Sequence, residues 1–300
     1  MLSAEVIARI KSLNLRGRHV ATDLMSGNYA SAFHGRGMEF HEVREYVPGD
    51  DVRGIDWNVT ARMDQPFIKV FREERELTLM LLVDVSASLA SGAGRSRREA
   101  AAELAAVLAW LAIRSNDCVG LMLFGETVEL FVPPRKGQGH VWRIIRDVIT
   151  WSGQSKGTNI DGALDHVAKM VKRRAVCFLI SDFLTTPVSK SLGRVSRQHD
   201  VTCVHMTQDP LDGILETGRG RFNGGVSVFV DRETGELLEI DTSDARARKL
   251  ITEAHQARQK ALEDIVRKSG ADMFAVKSGA SVVDPLAAYL RRHEGGRRRK

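Results

Sequence analysis

Three polar residues in one short stretch of the chain could bind a metal ion. The apolar run 77–83 ends in a carboxylate and two hydroxyls, at Asp84, Ser86 and Ser88. A short continuous apolar run is typical of a strand that is buried on both faces, as in a parallel sheet. In open parallel sheets, ligands bind outside the carboxyl ends of the strands. The stretch therefore predicts hard oxygen donors, which Mg²⁺, Mn²⁺ and Ca²⁺ prefer, at the functional edge of a sheet.

Two further stretches supply donors of the same kind. Thr158 lies in the segment 157–161 (GTNID), just before an amphipathic helical pattern, and Asp182 follows the apolar run 175–180. Both positions are expected at the sheet edge where a doubly wound fold gathers its ligands. A set with two carboxylates suits an octahedral Mg²⁺ ion, which usually keeps several waters. We therefore predict that one divalent cation, Mg²⁺ or else Mn²⁺ or Ca²⁺, is bound by Asp84, Ser86, Ser88, Thr158 and Asp182.

Each of these residues also has an ordinary structural interpretation. A strand-end aspartate can cap a turn, serines can bond to nearby backbone amides, and Thr158 or Asn159 can be the N-cap of the next helix. For any one residue alone these interpretations are favoured, whereas their joint occurrence favours a metal site. Asp161 fits equally well as a support of the site or as an exposed first-turn acid, favoured by the helix dipole.

The order of the predicted elements indicates the α/β fold class. From residue 77 onward, apolar strand-like runs alternate with helical patterns, which is typical of a doubly wound, mostly parallel sheet. The preceding residues lack this alternation and contain a short helical pattern over 3–16. We therefore expect a small β-rich N-terminal accessory segment at 1–75, the sheet domain at 76–292 with a hairpin insertion near 225–241, and a basic disordered tail at 293–300.

Charge and hydropathy exclude several classes of protein. The last ten residues hold six basic residues and one acid, which accounts for most of the formal net charge of +6. The rest of the chain is nearly neutral, so specific nucleic-acid binding is not expected. No apolar run approaches the roughly 20 residues that a membrane span needs, and no signal-peptide pattern is present. These features predict a cytoplasmic protein without a membrane span.

Two sets of motifs resemble known families. DVSAS at 84–88, GTNID at 157–161 and SDF at 181–183 together look like the metal-ion-dependent adhesion site of the von Willebrand factor A fold. The segment 35–63 (GRGMEFHEVREYVPGDDVRGIDWNVTARM), together with DRETGE at 231–236, resembles the bacterial domain-of-unknown-function family fifty-eight. The resemblance covers about residues 26–290. Many relatives carry N-terminal membrane helices, and this chain shows none, which puts membrane attachment in doubt.

These motifs lead to one functional interpretation and one alternative. The resemblance implies a non-enzymatic, metal-dependent protein-binding module that works with a MoxR-type AAA+ ATPase, or with its client, in assembling or activating a protein complex. The alternative is a divalent-metal-dependent hydrolase that uses the same carboxylates. An aspartyl-phosphate hydrolase would also place an aspartate after its first apolar strand, but Ser86 stands where a second acid would be expected. The sequence has no P-loop motif and no histidine cluster, so no catalytic residue is predicted.

Overall fold

The computed structural model describes residues 4–25, 39–63, 65–72, 76–86, 88–89, 97–153, 155, 157–184, 189–208, 226–230, 237–241 and 244–296. The strands are β1 Glu39–Glu45, β2 Phe67–Arg72, β3 Thr78–Asp84, β4 Cys118–Phe124, β5 Val128–Arg135, β6 Val176–Ser181, β7 Asp200–Thr207, β8 Val226–Val230, β9 Leu237–Asp241 and β10 Asp272–Lys277. The α-helices are α1 Ala4–Met25, α2 Trp57–Met63, α3 Arg97–Arg114, α4 Gln138–Thr150, α5 Ile160–Met170, α6 Ser189–Gln198, α7 Ala245–Ser269 and α8 Val283–Gly296. Contacts divide the chain into a larger unit, residues 1–32 with 77–300, and a smaller unit, residues 33–76.

A six-stranded sheet forms the centre of the larger unit. Its strand order is β10-β7-β6-β3-β4-β5, and all neighbouring strands run parallel except β5, which is antiparallel to β4. The central strand β3 is buried almost along its whole length because helices cover both of its faces. The predicted doubly wound, mostly parallel sheet is confirmed.

The register brings the carboxyl ends of the central strands to one edge. Asp84 lies opposite Phe124 at the end of β4, and Val83 lies opposite Ile180 near the end of β6. Ser181, the last residue of β6, lies opposite His205 of β7. Residues that follow β3 and β6 therefore meet at the edge where this architecture binds ligands.

Helices on the two faces bury the apolar side chains of the strands. On one face, α5, α6 and α7 pack against alternate strand residues, including Met80, Cys177 and Leu179. The next residue along the strand, Phe178, points to the opposite face because side chains alternate in a strand. There its ring contacts Tyr289 of α8 edge-to-face, with the centroids 6.2 Å apart.

Helix α3 is buried almost all round, which explains the position of α1. Thirteen residues of α3 are buried, most of them alanine, leucine or valine, so the helix needs cover on its outer side as well as from the sheet. Helix α1 provides part of this cover. Trp110 Nε1 donates a 2.8 Å hydrogen bond to Asn14 Oδ1, and a Cβ on Gly17 would lie 3.2 Å from the Ala106 backbone. The structure thus groups α1 with the sheet domain, whereas the sequence placed it in the accessory segment, and the helix is longer than the expected 3–16.

The smaller unit is an antiparallel pair of strands with two short helices. Strands β1 and β2 pair across a bulge between Phe40 and Glu42. Asp51 caps the 3-10 helix Val52–Gly54 by accepting a hydrogen bond from Arg53 N. Asp56 accepts a 3.0 Å bond from Asn58 N at the start of α2 and forms an ion pair with Lys69 of β2. These local bonds, with the paired strands, fix the β-rich character that the sequence predicts for this segment.

Two features lie near the C-terminus. Strands β8 and β9 form a separate antiparallel hairpin at the position where the insertion was expected. Helix α8 continues to Gly296, beyond residue 292, where the sheet domain was expected to end, because His293 bonds to both the carboxylate of Asp272 and the carbonyl of Tyr289. The rest of the expected basic tail, 297–300, lies outside the described residues.

Within the described chain, no helix combines the length and apolar character needed to span a membrane.

Candidate metal centre

Asp84 is the buried centre of the candidate site. It is the last residue of β3 and its side chain is fully shielded from solvent. Oδ1 accepts a 2.9 Å hydrogen bond from the backbone N of Ser86, and Oδ2 accepts a 2.6 Å bond from the hydroxyl of Ser181. Both carboxylate oxygens are therefore held in fixed directions by groups from two adjacent strands.

Burial also perturbs the protonation of Asp84. Burial, together with the nearby negative charge of Asp182, raises the pKa of this carboxyl from 3.8 to about 6. The hydrogen bonds from Ser181 and Ser86 act in the opposite direction. At neutral pH the carboxylate is ionised but poorly solvated, so a cation at this position would be strongly favoured.

Ser86 and Ser88 bring two hydroxyls to the same place. Their Oγ atoms lie 3.0 Å apart and share a hydrogen bond, and both residues are buried. The residue between them lies outside the described part of the chain. A hydroxyl oxygen has two acceptor lone pairs, so a cation can bind such a pair without breaking the bond between them.

Asp182 supplies the second carboxylate immediately after β6. Its Oδ1 accepts a hydrogen bond from the backbone N of Leu184 at 3.2 Å. Its Oδ2 is buried and accepts no hydrogen bond from the described residues, although it lies 3.2 Å from Nη1 of Arg97. The two carboxylate oxygens thus differ: one fixes the local turn, and the other faces a positive charge.

The backbone after Asp182 is held in an unusual conformation. Phe183 has φ of +50°, which is rare for a bulky residue. Arg258 of α7 donates hydrogen bonds to the carbonyls of Phe183 and Leu184, and the imidazole of His205 donates one to the carbonyl of Asp182. These contacts stabilise the turn and so fix the direction of the Asp182 carboxylate.

Thr158 lies on a loop that is anchored by glutamates and by a close backbone contact. Gly157 N donates a 3.0 Å bond to Glu126, and Ser155 N donates a 3.2 Å bond to Glu129. Earlier in this loop, a Cβ on Gly153 would lie only 2.2 Å from the carbonyl oxygen of Val85, the residue that follows Asp84. The loop therefore lies directly against the end of β3.

Thr158 is not the residue that caps α5. Asn159 is the N-cap of α5, since its side chain accepts a 2.9 Å bond from Gly162 N. The hydroxyl of Thr158 is buried and has no hydrogen-bond partner among the described residues. A buried polar atom without a partner is costly, so this oxygen fits a ligand that the protein alone does not supply.

The arrangement agrees only in part with the predicted set. Asp84, Ser86, Ser88 and Asp182 are linked through Ser181 and Arg97, whereas no described hydrogen bond joins Thr158 to the other four. Among the described residues no group of three or more histidine, cysteine, aspartate or glutamate side chains converges on one point. That absence is compatible with a site that depends on two carboxylates and several hydroxyls. The donors are all hard oxygens and fit a divalent cation.

Sequence reasoning missed two residues of this centre, Ser181 and Arg97. Ser181 stands next to Asp182 in the sequence, and its strand-end position was the available signal. Arg97 begins α3 and donates a 2.7 Å bond to the carbonyl of Ser88 besides its pairing with Asp182. No spacing rule indicates that contact. Asp161 accepts a bond from Ser191 of α6, so its contact is with a neighbouring helix.

Comparison with known proteins gives curated relatives of nearly full length. The uncharacterized protein Rv1480 of Mycobacterium tuberculosis is 29% identical over 291 residues, which cover 95% of this chain and 89% of that protein.

Three solved structures are similar to this chain at low identity. An aerotolerance-related membrane protein from Bacteroides fragilis is 15% identical, covers 73% of this chain and 99% of its own, and has a TM-score of 0.46. A von Willebrand factor type A structure from Catenulispora acidiphila is 10% identical, covers 74% of this chain and 43% of its own, and has a TM-score of 0.40. Proximal thread matrix protein 1 of the mussel byssus, described with a zinc-occupied MIDAS motif, is 13% identical, covers 46% of this chain and 40% of its own, and has a TM-score of 0.36.

These comparisons change one prediction and confirm another. The description of the Bacteroides fragilis chain as a membrane protein contradicts the predicted cytoplasmic location, which we withdraw. The resemblance carried by the motifs is confirmed, because the family model described as protein of unknown function DUF58 matches residues 42–261. The chain belongs to the DUF58 family, and its mostly parallel α/β sheet is of the fold class that the sequence predicts.

Proposed function

We propose that this protein is a non-enzymatic interaction module whose partner binding depends on a divalent cation. Asp84, Ser86, Ser88, Thr158 and Asp182 would hold the ion. The observation that carries the proposal is a pair of buried oxygens, Thr158 Oγ1 and Asp182 Oδ2, that accept no hydrogen bond from the described residues. Both belong to loops that meet the end of β3, where Asp84 is buried.

The donor set favours Mg²⁺ or Mn²⁺ as the ion. Two carboxylates together with neutral hydroxyls leave room for water molecules, which Mg²⁺ retains readily. The carboxylates do not fully satisfy the coordination needs of a divalent ion, so a position remains available for an exchangeable ligand. When bound, the ion would supply a positive site for an anionic oxygen. The best ligand for a hard cation of this kind is a carboxylate from a partner protein.

The partner that we propose is a MoxR-type AAA+ ATPase or its client. This part of the proposal rests on the resemblance of segment 35–63, together with DRETGE at 231–236, to the DUF58 family. The surfaces nearest the ion would come from the loops that follow β3 and β6 and from the loop before Thr158. A partner aspartate or glutamate would bind there, and the ion would be shared by the two proteins.

The surroundings of the site support a binding role over hydrolysis. Hydrolysis would need a general base that can reach a water molecule. The histidine that contacts the site, His205, is buried, packs its ring edge-to-face on Phe183 and donates to a backbone carbonyl. Burial lowers its pKa to about 4, so the ring is neutral, but it is shielded from solvent. We therefore do not place a catalytic residue in this site.

The proposal is tested by measuring association with the MoxR-type ATPase from the same organism. We expect binding in Mg²⁺, a loss of at least tenfold in affinity in chelator, and the same loss for Asp84→Ala in Mg²⁺. Asp200→Ala is a matched control, because Asp200 pairs with Arg174 at the start of β7, away from the carboxyl edge of the sheet. Equal affinity under all conditions would overturn a metal-dependent interaction.

A further inference from the structure

The side chain of Arg97 places a positive charge against the proposed cation site. Its Nη1 lies 3.2 Å from Asp182 Oδ2, and its Nη2 donates a 2.7 Å bond to the carbonyl of Ser88. The Arg97 side chain is 13% exposed and that of Asp182 is 2% exposed. This is therefore a buried ion pair, in contrast to the exposed ion pairs elsewhere on the surface, such as Arg174 with Asp200.

The pairing engages the oxygen of Asp182 that is most open to an ion. Oδ1 accepts a hydrogen bond from the backbone N of Leu184, whereas Oδ2 accepts none from the described residues and keeps its lone pairs for a cation. A guanidinium and a divalent ion are both positive, and two cations bound to the same carboxylate oxygen repel each other strongly in a buried site. Arg97 and the ion are therefore alternative occupants of the space in front of Oδ2.

The same side chain also ties together two loops that flank the site. Ser88 follows β3, Asp182 follows β6, and Arg97 is the first residue of α3. If the guanidinium leaves Oδ2, the bond to Ser88 and the position of the first turn of α3 are both affected. Occupation of the site by an ion would in this way be coupled to the surface beside it.

We propose that Arg97 is an internal competitor of the divalent cation, which weakens metal binding and couples it to the position of the start of α3. The inference rests on the proposed function, since it concerns the same site. It goes further by naming the residue that sets the metal affinity. An arginine suits this role because its planar guanidinium can bind a carboxylate and a carbonyl at the same time.

The competition predicts the direction of a simple substitution. Arg97→Met keeps much of the length and apolar volume of the side chain but removes its charge. The ion would then no longer have to displace the Arg97 guanidinium from its buried ion pair with Asp182. Removing this competing positive charge should tighten Mn²⁺ binding by about ten- to a hundredfold. Arg97→Lys keeps the charge and should give a smaller gain.

The experiment is Mn²⁺ titration calorimetry at pH 8 on the wild-type chain, Arg97→Met, Arg97→Lys and the control Arg174→Met, which removes an exposed arginine from the Arg174–Asp200 pair. Thermal melting in chelator and in Mn²⁺ gives a second readout. We expect the increase in melting temperature caused by Mn²⁺ to be largest for Arg97→Met, which also shows that this variant is folded.

The outcomes separate the inference from the proposed function. Tighter Mn²⁺ binding by Arg97→Met, with unchanged binding by Arg174→Met, supports competition. If the wild-type chain binds Mn²⁺ and Arg97→Met binds it equally or more weakly, the inference is overturned while the metal site stands. If neither the wild-type chain nor any Arg97 variant binds Mn²⁺, the proposed metal site itself is overturned.

Discussion

The hydroxyl of Ser181 lies 2.6 Å from Oδ2 of Asp84 and donates a hydrogen bond that joins the ends of two adjacent parallel strands. The same hydroxyl accepts a 3.1 Å bond from the backbone N of Phe183. Ser181 therefore fixes both the Asp84 carboxylate and the turn that carries Asp182. A residue outside the predicted ligand set thus determines where the two carboxylates stand.

Ser181→Ala should destabilise the protein and weaken metal binding. The substitution leaves one buried oxygen of Asp84 and the N–H of Phe183 without this partner, which we expect to cost about 1–3 kcal/mol of unfolding free energy. Urea denaturation in chelator measures the cost. Ser152→Ala removes the hydroxyl of an exposed serine. It is the control and should change the unfolding free energy little. A loss no larger than that of the control would contradict the role given to Ser181.

Asp84→Asn should remove a pH dependence from the stability of the metal-free protein. The pKa of Asp84 is about 6 in the folded protein, against an ordinary value of 3.8. The folded state therefore holds the proton more tightly than the unfolded state, and unfolding free energy falls as pH rises from about 4 to 6. The full loss, about 3 kcal/mol, is present above pH 6.

An asparagine cannot ionise, so the variant avoids this loss, although its amide nitrogen cannot accept one of the two hydrogen bonds that the carboxylate accepts. Urea denaturation of both proteins in chelator should therefore compare their pH dependence: the unfolding free energy of the wild type should fall between pH 4 and pH 8 by about 3 kcal/mol more than that of the variant. Mn²⁺ binding should be lost in the same variant. The same pH dependence in both proteins would show that burial does not raise the pKa of the Asp84 carboxyl.

Gly153→Ala should disturb the loop that carries Thr158. A Cβ at this position would lie 2.2 Å from the carbonyl oxygen of Val85, a distance at which the backbone must move. We expect a loss of about 1–3 kcal/mol in unfolding free energy, as for other overpacked sites, together with weaker Mn²⁺ binding.

Gly139→Ala provides the matched control for that substitution. Gly139 lies in α4, and an added Cβ there meets no atom within 4 Å. Alanine favours a helix over glycine, so this variant should gain about 0.5–1 kcal/mol. Thermal melting compares the two variants, and equal behaviour would contradict the close approach of the loop to β3.

Asn14→Leu should show that α1 is part of the sheet domain. The variant removes the acceptor of Trp110 Nε1 in a buried position, which should cost about 1–3 kcal/mol. Leu15→Ala, which changes a residue on the exposed side of the same helix, should have little effect on the melting temperature. If both variants melt like the wild type, α1 does not stabilise the domain.

Much of the fold could be predicted because the strands follow a simple pattern. The strand that ends at Asp84 and the strand that ends at Ser181 are continuous apolar runs, and parallel order places their ends at one edge. The N-terminal boundary could not be obtained in this way. An amphipathic stretch such as α1 shows which face it buries but not which element covers that face. The partner is α3, and the bonded residues Asn14 and Trp110 are 96 positions apart in the sequence.

The carboxylates and hydroxyls of the candidate site could be predicted from the sequence. The neighbouring side chains that orient these groups could not. Thr158 and Asn159 are both good N-cap residues, and only the structure shows that Asn159 makes the cap. Arg97 was not predictable, because sequence spacing gives no direction for a long flexible side chain. The extension of α8 through Gly295 and Gly296 was also missed, since glycine disfavours helix and the tertiary contact of His293 is not visible in the sequence.

The central claim is that Asp84 and its neighbours bind one divalent cation, and direct titration of the wild-type chain with Mn²⁺ at pH 8 tests it most directly. The account predicts a single binding site in the wild type and in the control Asp200→Ala, and none in Asp84→Ala, with all three proteins folded by circular dichroism. Unchanged Mn²⁺ affinity in Asp84→Ala, or no binding by the wild type, would contradict it.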